Sequence, residues 1–270
     1  MSLLRKSKQS ELADRHDLYQ RSVQDTESEI DFIEQTWTDL RDRPAEVLRE
    51  DFCGTANTAC EWVRRNAGHF AIGVDLDGEV MRWGERNNVA RLAPDEQTRI
   101  ELIQTDVLDE LAETADIVLA MNFSYFLFRT RAELLEYFAS VHQGLTEDGI
   151  FFLDAYGGYD APREIVESRE CDGFVYIWEQ AEFNPIDSTM TCHIHFEFAD
   201  DSRLEQAFSY RWRLWTLPEI REVLYQAGFR KVDVYWEGTD EETQEGNGVY
   251  APAEVGDADA GWVCYIVAQA

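Results

Sequence analysis

The chain has few lysines, few cysteines and no long uninterrupted apolar run. Only three of its 24 basic residues are lysines, against 54 acidic residues, so the net charge is −30. Its five cysteines are an odd number without disulfide or zinc spacing, which favours free thiols in a reducing compartment. No apolar segment reaches the length that spans a bilayer, and the start of the chain has no signal-like stretch. We therefore expect a cytoplasmic protein without a membrane partner.

The acidic surface limits the partners of the protein. Nucleic acid is excluded as a substrate because its phosphates would be repelled. Three explanations of the charge remain: a salt-adapted host, a cationic substrate attracted by the field, or a well solvated surface. We favour the first and the third. The length of 270 residues fits one domain with an elaboration, and the sequence leaves the oligomeric state open.

The most informative segment is a strand that ends in acidic residues and runs into a tight turn. It reads Leu48-Arg49-Glu50-Asp51-Phe52-Cys53-Gly54-Thr55-Ala56, and a second strand ends in Asp75, 21 positions after Gly54. In α/β proteins that bind nucleosides, small residues admit the ligand to the backbone and an acid at the next strand tip accepts from ribose hydroxyls. The turn lacks the full G-x-G-x-x-G that a pyrophosphate requires. We therefore predict a nucleoside ligand without a pyrophosphate.

The same segment resembles the first motif of a known enzyme family. Glu50-x-Phe52-Cys53-Gly54-Thr55-Ala56 is similar to the acidic residue and Gly-Cys-Gly-Thr-Gly turn of class I S-adenosylmethionine-dependent methyltransferases. Phe52 and Ala56 stand where that family usually has glycine. Because phenylalanine tolerates positive φ poorly, we expect the loop to be set differently around the methionine part of the cofactor. The resemblance covers roughly residues 48–155 and implies S-adenosylmethionine as the cofactor.

Alternating strand and helix signals after Val47 predict an α/β fold with a parallel sheet and helices on both faces. The resemblance implies a Rossmann-like, seven-stranded sheet. An N-terminal helical lid over 1–46 precedes a methyltransferase domain over 47–270. Between 172 and 215 three runs alternate with period two, which predicts a three-stranded antiparallel insert after strand five. The Gly- and acid-rich segment 237–260 is predicted to be a solvated or mobile loop.

Local signals also predict where three helices begin. Thr130 and Thr216 are each followed by glutamate three positions later, which is the spacing of a capping box. Asp77 follows the second strand and has the residue type of an N-cap. Each signal predicts a helix that starts at the next residue.

The resemblance assigns cofactor contacts to residues at the ends of the first four strands. It places Asp75 against the ribose hydroxyls and Leu76 on the adenine. Glu50 would organise the methionine amino group, although it could simply cap the next helix. Asp106 would accept from the adenine amine beside Val107, and an ordinary turn aspartate is an equally good interpretation. The full set of cofactor-binding candidates is Glu50, Phe52, Gly54, Thr55, Asp75, Leu76, Asp106, Val107 and Asn122.

Candidate catalytic residues follow the fourth and fifth strands. The segment Asn122-Phe123-Ser124-Tyr125 is not the Asn-Pro-Pro-Tyr loop of nucleic-acid and glutamine methyltransferases, which favours a small-molecule substrate. Tyr125, Asp154 and Tyr156 are the catalytic candidates. Tyr125 could equally pack in the core, and the other two could belong to a glycine-containing turn.

His193 and His195 share one strand face, at a spacing that can chelate a metal. The sequence specifies no third ligand. We expect the pair to face Arg211 and Arg213 on the neighbouring strand, as part of a polar sheet face. We therefore predict no metal site.

Together these features predict a methyltransferase that acts on a nitrogen or oxygen of a small molecule by in-line attack, with catalysis chiefly by positioning. A nicotinamide-dependent oxidoreductase on a similar sheet is an alternative, weakened by the missing pyrophosphate loop. A non-catalytic S-adenosylmethionine-binding protein is a second alternative because of the two replaced glycines.

Overall fold

The computed structural model describes residues 7–240, 242–243 and 246–270. The α-helices in this part of the chain are α1 (Gln9–Leu12), α2 (Arg15–Ser22), α3 (Thr26–Leu40), α4 (Asn57–Arg65), α5 (Gly78–Asn87), α6 (Pro94–Gln97), α7 (Arg131–Gln143) and α8 (Leu217–Ala227). The strands are β1 (Val47–Asp51), β2 (Phe70–Asp75), β3 (Ile100–Gln104), β4 (Ala115–Ala120), β5 (Leu145–Gly157), β6 (Ile165–Cys171), β7 (Phe174–Asn184), β8 (Thr189–Phe198), β9 (Arg203–Arg213), β10 (Lys231–Thr239), β11 (Gly246–Pro252) and β12 (Trp262–Gln269). No helix in these ranges is both long and apolar enough to cross a bilayer.

The main sheet has eight strands in the order β11-β10-β12-β5-β4-β1-β2-β3. The strands from β3 to β5 are parallel, and β12, β10 and β11 continue the sheet in antiparallel pairs. The strand order reverses between β1 and β4, and ligands of such sheets bind at the carboxyl ends of the strands beside this point. The predicted Rossmann-like architecture is confirmed.

The main sheet has eight strands rather than the predicted seven, because part of segment 237–260, predicted to be a loop, forms the edge strand β11. β11 lies inside this segment and pairs with β10, where Ala251 is opposite Trp236. Tyr250 also packs on Tyr265, with ring centroids 4.6 Å apart. The unpaired edge of β10 offers backbone partners to any neighbouring segment, so a polar sequence is no obstacle to pairing there.

The insert is a separate antiparallel sheet of four strands rather than three, in the order β6-β7-β8-β9. The buried face of β8 is the predicted one, formed by Met190, Cys192, Ile194, Phe196 and Phe198. The additional strand is β6. Its five central residues are exposed, so no alternation of apolar residues indicates a strand there.

The three capping signals are confirmed. Thr130 and Thr216 accept from the backbone amides of Glu133 and Glu219 at the starts of α7 and α8. Asp77 caps α5 by accepting from the amide of Glu79. These bonds satisfy helix amides that would otherwise lack an acceptor, so they determine where each helix begins.

The N-terminal helices contact both the main domain and the insert. In α3 the apolar residues Ile30, Ile33 and Trp37 are buried in the core against α4 and the sheet. Leu18 of α2 instead packs in a small core with residues of the insert such as Phe196. The carboxyl edge of the sheet therefore lies between two elements that cover it, the helices and the insert.

Candidate functional site

The loop after β1 alternates between left-handed and ordinary backbone. Phe52, Gly54 and Ala56 have φ values of 57°, 53° and 55°. Phe52 and Ala56 thus take the backbone conformation that glycine favours, although phenylalanine tolerates positive φ poorly. The amides of Cys53, Gly54 and Ala56 already donate to acceptors in the protein, so an anionic group at this turn would be met by the amides of Phe52 and Thr55.

Packing of the Phe52 ring explains why the strained conformation persists. The ring lies 5.4 Å from the ring of Tyr137 and 6.2 Å from that of Phe128, measured between centroids. Left-handed backbone costs a non-glycine residue about 1–2 kcal/mol, and aromatic pairs contribute about 0.5–1.5 kcal/mol beyond their buried area. The aromatic contacts thus offset a cost that glycine would not incur.

Asp75, at the carboxyl end of β2, holds this loop. One carboxylate oxygen accepts from the amide of Gly54 at 2.8 Å, and the other accepts from the amide of Asp77 at 2.8 Å. Burial raises the pKa of Asp75, although the two amide bonds oppose the shift. Its side chain joins the tips of β1 and β2 and retains lone pairs for a ligand hydroxyl.

Thr55 connects the loop to the N-terminal helices. Its hydroxyl accepts a 2.6 Å hydrogen bond from the side-chain amide of Gln20, on α2. Its carbonyl accepts from the side chain of Asn88 at 2.9 Å. The N-terminal helix α2 and the loop after β1 are therefore directly linked.

Two carboxyls meet beside the loop, one from the lid and one from β1. Glu29 of α3 and Glu50 are both 8% exposed, and the Thr58 hydroxyl lies beside both. Burial raises the pKa of each to about 8, and the carboxylates of Asp154 and Glu50 add to the shift at Glu29.

Their remaining bonds distinguish the two groups. Glu50 accepts from the amide of Ala59 at 2.9 Å, at the start of α4. Oε2 of Glu29 has no hydrogen-bond partner among the described residues. A buried carboxyl oxygen without a partner is costly, and a positively charged group placed between Glu29 and Glu50 would relieve that cost. The sequence offered one signal for Glu29, a charge on the buried face of an amphipathic helix.

Asp154 supports the loop after β4. Its two oxygens accept from the backbone amides of Asn122 and Phe123, both at 2.8 Å. Those two residues have φ values of 56° and 57°. Burial raises the pKa of Asp154 to about 7, against the effect of the amide bonds. The carboxylate is therefore engaged in shaping a strained loop.

The two tyrosine candidates lie in different surroundings. Tyr125 is fully buried, and its hydroxyl donates to the main-chain oxygen of Asp154 at 2.7 Å. Tyr125 therefore packs in the core, which is the alternative to a catalytic role for this residue. Tyr156 lines a cavity, and its hydroxyl donates to Sδ of Met190 at 3.0 Å.

The residues expected around adenine lie at the ends of β2 and β3. Leu76 is 68% exposed and follows directly on Asp75, and Val107 is buried. Asp106 is exposed, and its carboxylate accepts from the amide of Leu108 at 3.0 Å. Such a bond is what an ordinary turn aspartate makes, as the alternative interpretation of Asp106 predicts. It uses one carboxylate oxygen and leaves the other for a ligand.

A cavity of about 560 Å³ opens next to Asn122 and Phe123. We call it the aromatic cavity, and its walls come from the lid, the loops after β4 and β5, the insert and the last strands. Its lining residues are Tyr19, Val23, Asn122, Phe123, Tyr156, Gly157, Asp160, Ala161, Ile165, Glu167, Tyr176, Trp178, Gln180, Ile194, Tyr210, Trp212, Glu237, Tyr250, Ala260, Gly261, Trp262 and Val263. No local sequence pattern indicates that residues as far apart as Tyr19 and Trp262 line one cavity.

The histidines of the insert have polar partners within their own sheet. His195 lies 2.9 Å from Glu179 and 2.7 Å from Glu205, and His193 is opposite Ser209. The expected pairing with Arg211 and Arg213 is wrong, because the register of β8 with β9 places Thr191 opposite Arg211 and Thr189 opposite Arg213. No group of three metal-ligating residues occurs in the described parts of the chain.

Known proteins resemble this chain in structure but not in sequence. No protein-family model and no curated protein matches it. A S-adenosylmethionine-dependent methyltransferase from Clostridium acetobutylicum is 16% identical with a TM-score of 0.69, over 94% of this chain and 96% of that chain. An amino pentose methyltransferase from Micromonospora echinaspora, with S-adenosylmethionine bound, is 15% identical with a TM-score of 0.66, over 94% of this chain and 95% of that one.

A third solved structure covers the whole chain. The sugar N-methyltransferase from Streptoalloteichus is 17% identical with a TM-score of 0.63, over 100% of this chain and 96% of its own. These identities are too low to transfer an activity, whereas the agreement in structure extends over nearly the full length. The chain therefore has the fold of class I S-adenosylmethionine-dependent methyltransferases.

Proposed function

We propose that the protein is a S-adenosylmethionine-dependent methyltransferase that acts on a nitrogen of a small molecule. The observation that carries the proposal is the left-handed loop after β1, tied to Asp75 through the Gly54 amide at 2.8 Å and open to the same sheet edge as the aromatic cavity. The cofactor supplies a methyl group already activated by the positive charge on sulfur. The protein then has to position two reactants and exclude water.

The chain's residues divide into roles by their place along the sheet edge. Asp75 accepts from ribose hydroxyls, with Leu76 and Val107 at the adenine and Asp106 at its amine. The backbone amides of Phe52 and Thr55 receive the methionine carboxylate, whereas the Gly54 amide donates to Asp75 and holds the turn. Glu50 and Glu29 bind the methionine ammonium, since two buried carboxyls with raised pKa values gain most from a cation. Asn122 separates the cofactor from the aromatic cavity.

Asp154 and Tyr156 act by positioning the acceptor. Asp154 holds Asn122 and Phe123 in their strained conformation, and Tyr156 forms part of the cavity wall. An alkylamine is mostly protonated near neutral pH, but its small neutral fraction can react without a base in the site, whereas a hydroxyl requires a dedicated base. Because the Asp154 carboxylate already binds two amides, we propose nitrogen as the acceptor atom.

The first test is ligand binding by the wild-type protein. We expect S-adenosylhomocysteine and S-adenosylmethionine to raise the thermal midpoint by several degrees, since a ligand at 100 times its Kd adds about 2.7 kcal/mol to stability. NADH and NADPH should have no effect. A shift with the nicotinamides instead would replace this proposal with the oxidoreductase.

Turnover separates an enzyme from a binding protein. Release of S-adenosylhomocysteine in the presence of a panel of small amines, measured by mass spectrometry, supports catalysis. Tight binding with no release across amines and alcohols would leave the non-catalytic alternative.

We expect Glu29→Gln to weaken S-adenosylhomocysteine binding about tenfold at about pH 8, because a charged hydrogen bond to the ammonium is replaced by a neutral one. Without ligand the same variant should be more stable than wild type at that pH. Folding raises the pKa of Glu29 from 4.5 to about 8, so between these pH values the unfolded chain loses the Glu29 proton while the folded chain keeps it. The free energy of unfolding of the wild type therefore falls as pH rises from 4.5 to about 8. Near pH 5 the difference should be small.

Calorimetric titration and thermal unfolding at the two pH values measure both effects. Glu27→Gln is the matched control, because Glu27 lies in the same first turn of α3 but is exposed. Unchanged affinity in Glu29→Gln, with the stability gain present, would remove Glu29 from the cofactor site and keep it as a buried acid only.

A further inference from the structure

The chemistry of the aromatic cavity selects one class of acceptor. Nine of its lining residues are aromatic, and Asp160, Glu167 and Glu237 add carboxylates. Neither lysine nor arginine is among the lining residues that the structure describes. A wall of aromatic faces with carboxylates and no basic group suits an organic cation and repels an anion.

The strongest part of this wall belongs to the insert. Tyr210 and Trp212 stack with centroids 4.4 Å apart, and Trp178 lies 6.0 Å from Trp212. Glu167 on β6 is directly opposite Trp178 on β7, so a carboxylate stands at the edge of the aromatic group. Asp160 already pairs with Arg163 and Glu237 accepts from the Gly248 amide, which leaves Glu167 as the carboxylate for a ligand.

From this arrangement we infer that the acceptor is an alkylamine whose product is an alkylammonium cation, bound by Trp178, Tyr210, Trp212 and Glu167. This inference rests on the proposed function and specifies its substrate class. The neutral amine nitrogen forms the bond to the methyl carbon while the sulfur–carbon bond breaks and sulfur keeps the electron pair. The positive charge thereby moves from sulfur to nitrogen, and the cavity stabilises it there.

The same wall excludes acceptors that carry phosphate or several carboxylates. Such groups would meet carboxylates without a basic partner, in a protein whose net charge is −30. The acidic surface acts in the same direction, because it raises the local concentration of cations at low salt.

Choline and its uncharged isostere 3,3-dimethylbutan-1-ol test the inference directly. The two have the same shape, so calorimetric titration in the presence of S-adenosylhomocysteine isolates the charge. We expect choline to bind at least tenfold more tightly, and phosphocholine to bind more weakly than choline. Equal binding of choline and the isostere, or no binding of either, would overturn the inference.

Variants locate the site. Trp178→Leu should weaken choline binding about tenfold, which is the size of a desolvated cation–π contact. Glu167→Gln should weaken it several-fold, whereas Glu170→Gln, an exposed position on the same strand that does not line the cavity, should not. If Glu170→Gln weakened choline binding as much as Glu167→Gln, the effect would come from the negative charge of the whole surface. That result would overturn the inference.

Cofactor binding keeps the two proposals separable. Each variant should retain the thermal shift with S-adenosylhomocysteine, which also shows that it is folded. If wild type shows that shift but no preference for choline, the substrate class is wrong and the proposed function stands. If the shift is absent from wild type, the proposed function fails, whatever choline does.

Discussion

Asp75→Ala is expected to weaken S-adenosylhomocysteine binding at least a hundredfold and to abolish methyl transfer at ordinary cofactor concentrations. The change removes the acceptor for the Gly54 amide, which lies 2.8 Å from the carboxylate, and with it the proposed acceptor for the ribose hydroxyls. Losing one charged hydrogen-bond partner costs about 1.5–3 kcal/mol, and here the loop that we propose binds the methionine part also loses its tie to β2. Calorimetric titration measures the affinity.

Asp77→Ala is the matched control for this experiment. Asp77 is an acid at the same strand tip, but it caps α5 by accepting from the amides of Glu79 and Val80. Its loss should lower stability by about 0.5–2 kcal/mol and leave cofactor affinity within a few-fold of wild type. If Asp75→Ala and Asp77→Ala weaken binding equally, Asp75 has no specific role at the ribose.

Arg49→Met is expected to destabilise the protein by about 3–5 kcal/mol. The guanidinium of Arg49 lies 2.9 Å from the carboxylate of Asp51, and the two residues are only 3% and 2% exposed. Tyr137 donates to the same carboxylate at 2.9 Å. Without Arg49 a buried carboxylate would lose its compensating charge, and burial already raises the pKa of Asp51. The loss should therefore grow as pH rises.

Urea unfolding at about pH 5 and about pH 8 measures both parts of this prediction. The double variant Arg49→Met/Asp51→Leu should recover most of the stability, because it removes both charges from the core. Arg64→Met is a control on an exposed pair with Glu61, and should cost less than about 1 kcal/mol. A loss in Arg49→Met no larger than in Arg64→Met would contradict the prediction.

This buried pair lies directly before the loop after β1. Asp51 is the last residue of β1 and precedes Phe52, whose ring packs on Tyr137. The aromatic contact that offsets the strain at Phe52 and the hydrogen bond to Asp51 therefore involve the same tyrosine. Mutations of Arg49 should affect cofactor affinity as well as stability, through the position of the loop.

Much of the fold was predictable because its signals are local. The acidic strand end before Cys53-Gly54-Thr55, the acid at position 75 and the capping residues Thr130 and Thr216 each depend on a few neighbouring residues. Period-two alternation likewise identified the buried face of β8. The missed strands, β6 and β11, are a mostly exposed segment and an edge strand, where pairing depends on backbone supplied by a partner strand rather than on side-chain pattern.

The sequence by itself determined the α/β class, the parallel sheet and the position of the tight turn after β1, because hydrophobic period and turn residues act over short distances. Only the tertiary structure decided the conformation of Phe52, the meeting of Glu29 with Glu50 and the engagement of Asp154 with the backbone of Asn122. It also assembled the aromatic cavity from residues as distant as Tyr19 and Trp262. Strain, burial and shared charge depend on contacts between segments far apart in the chain, and no local pattern encodes those contacts.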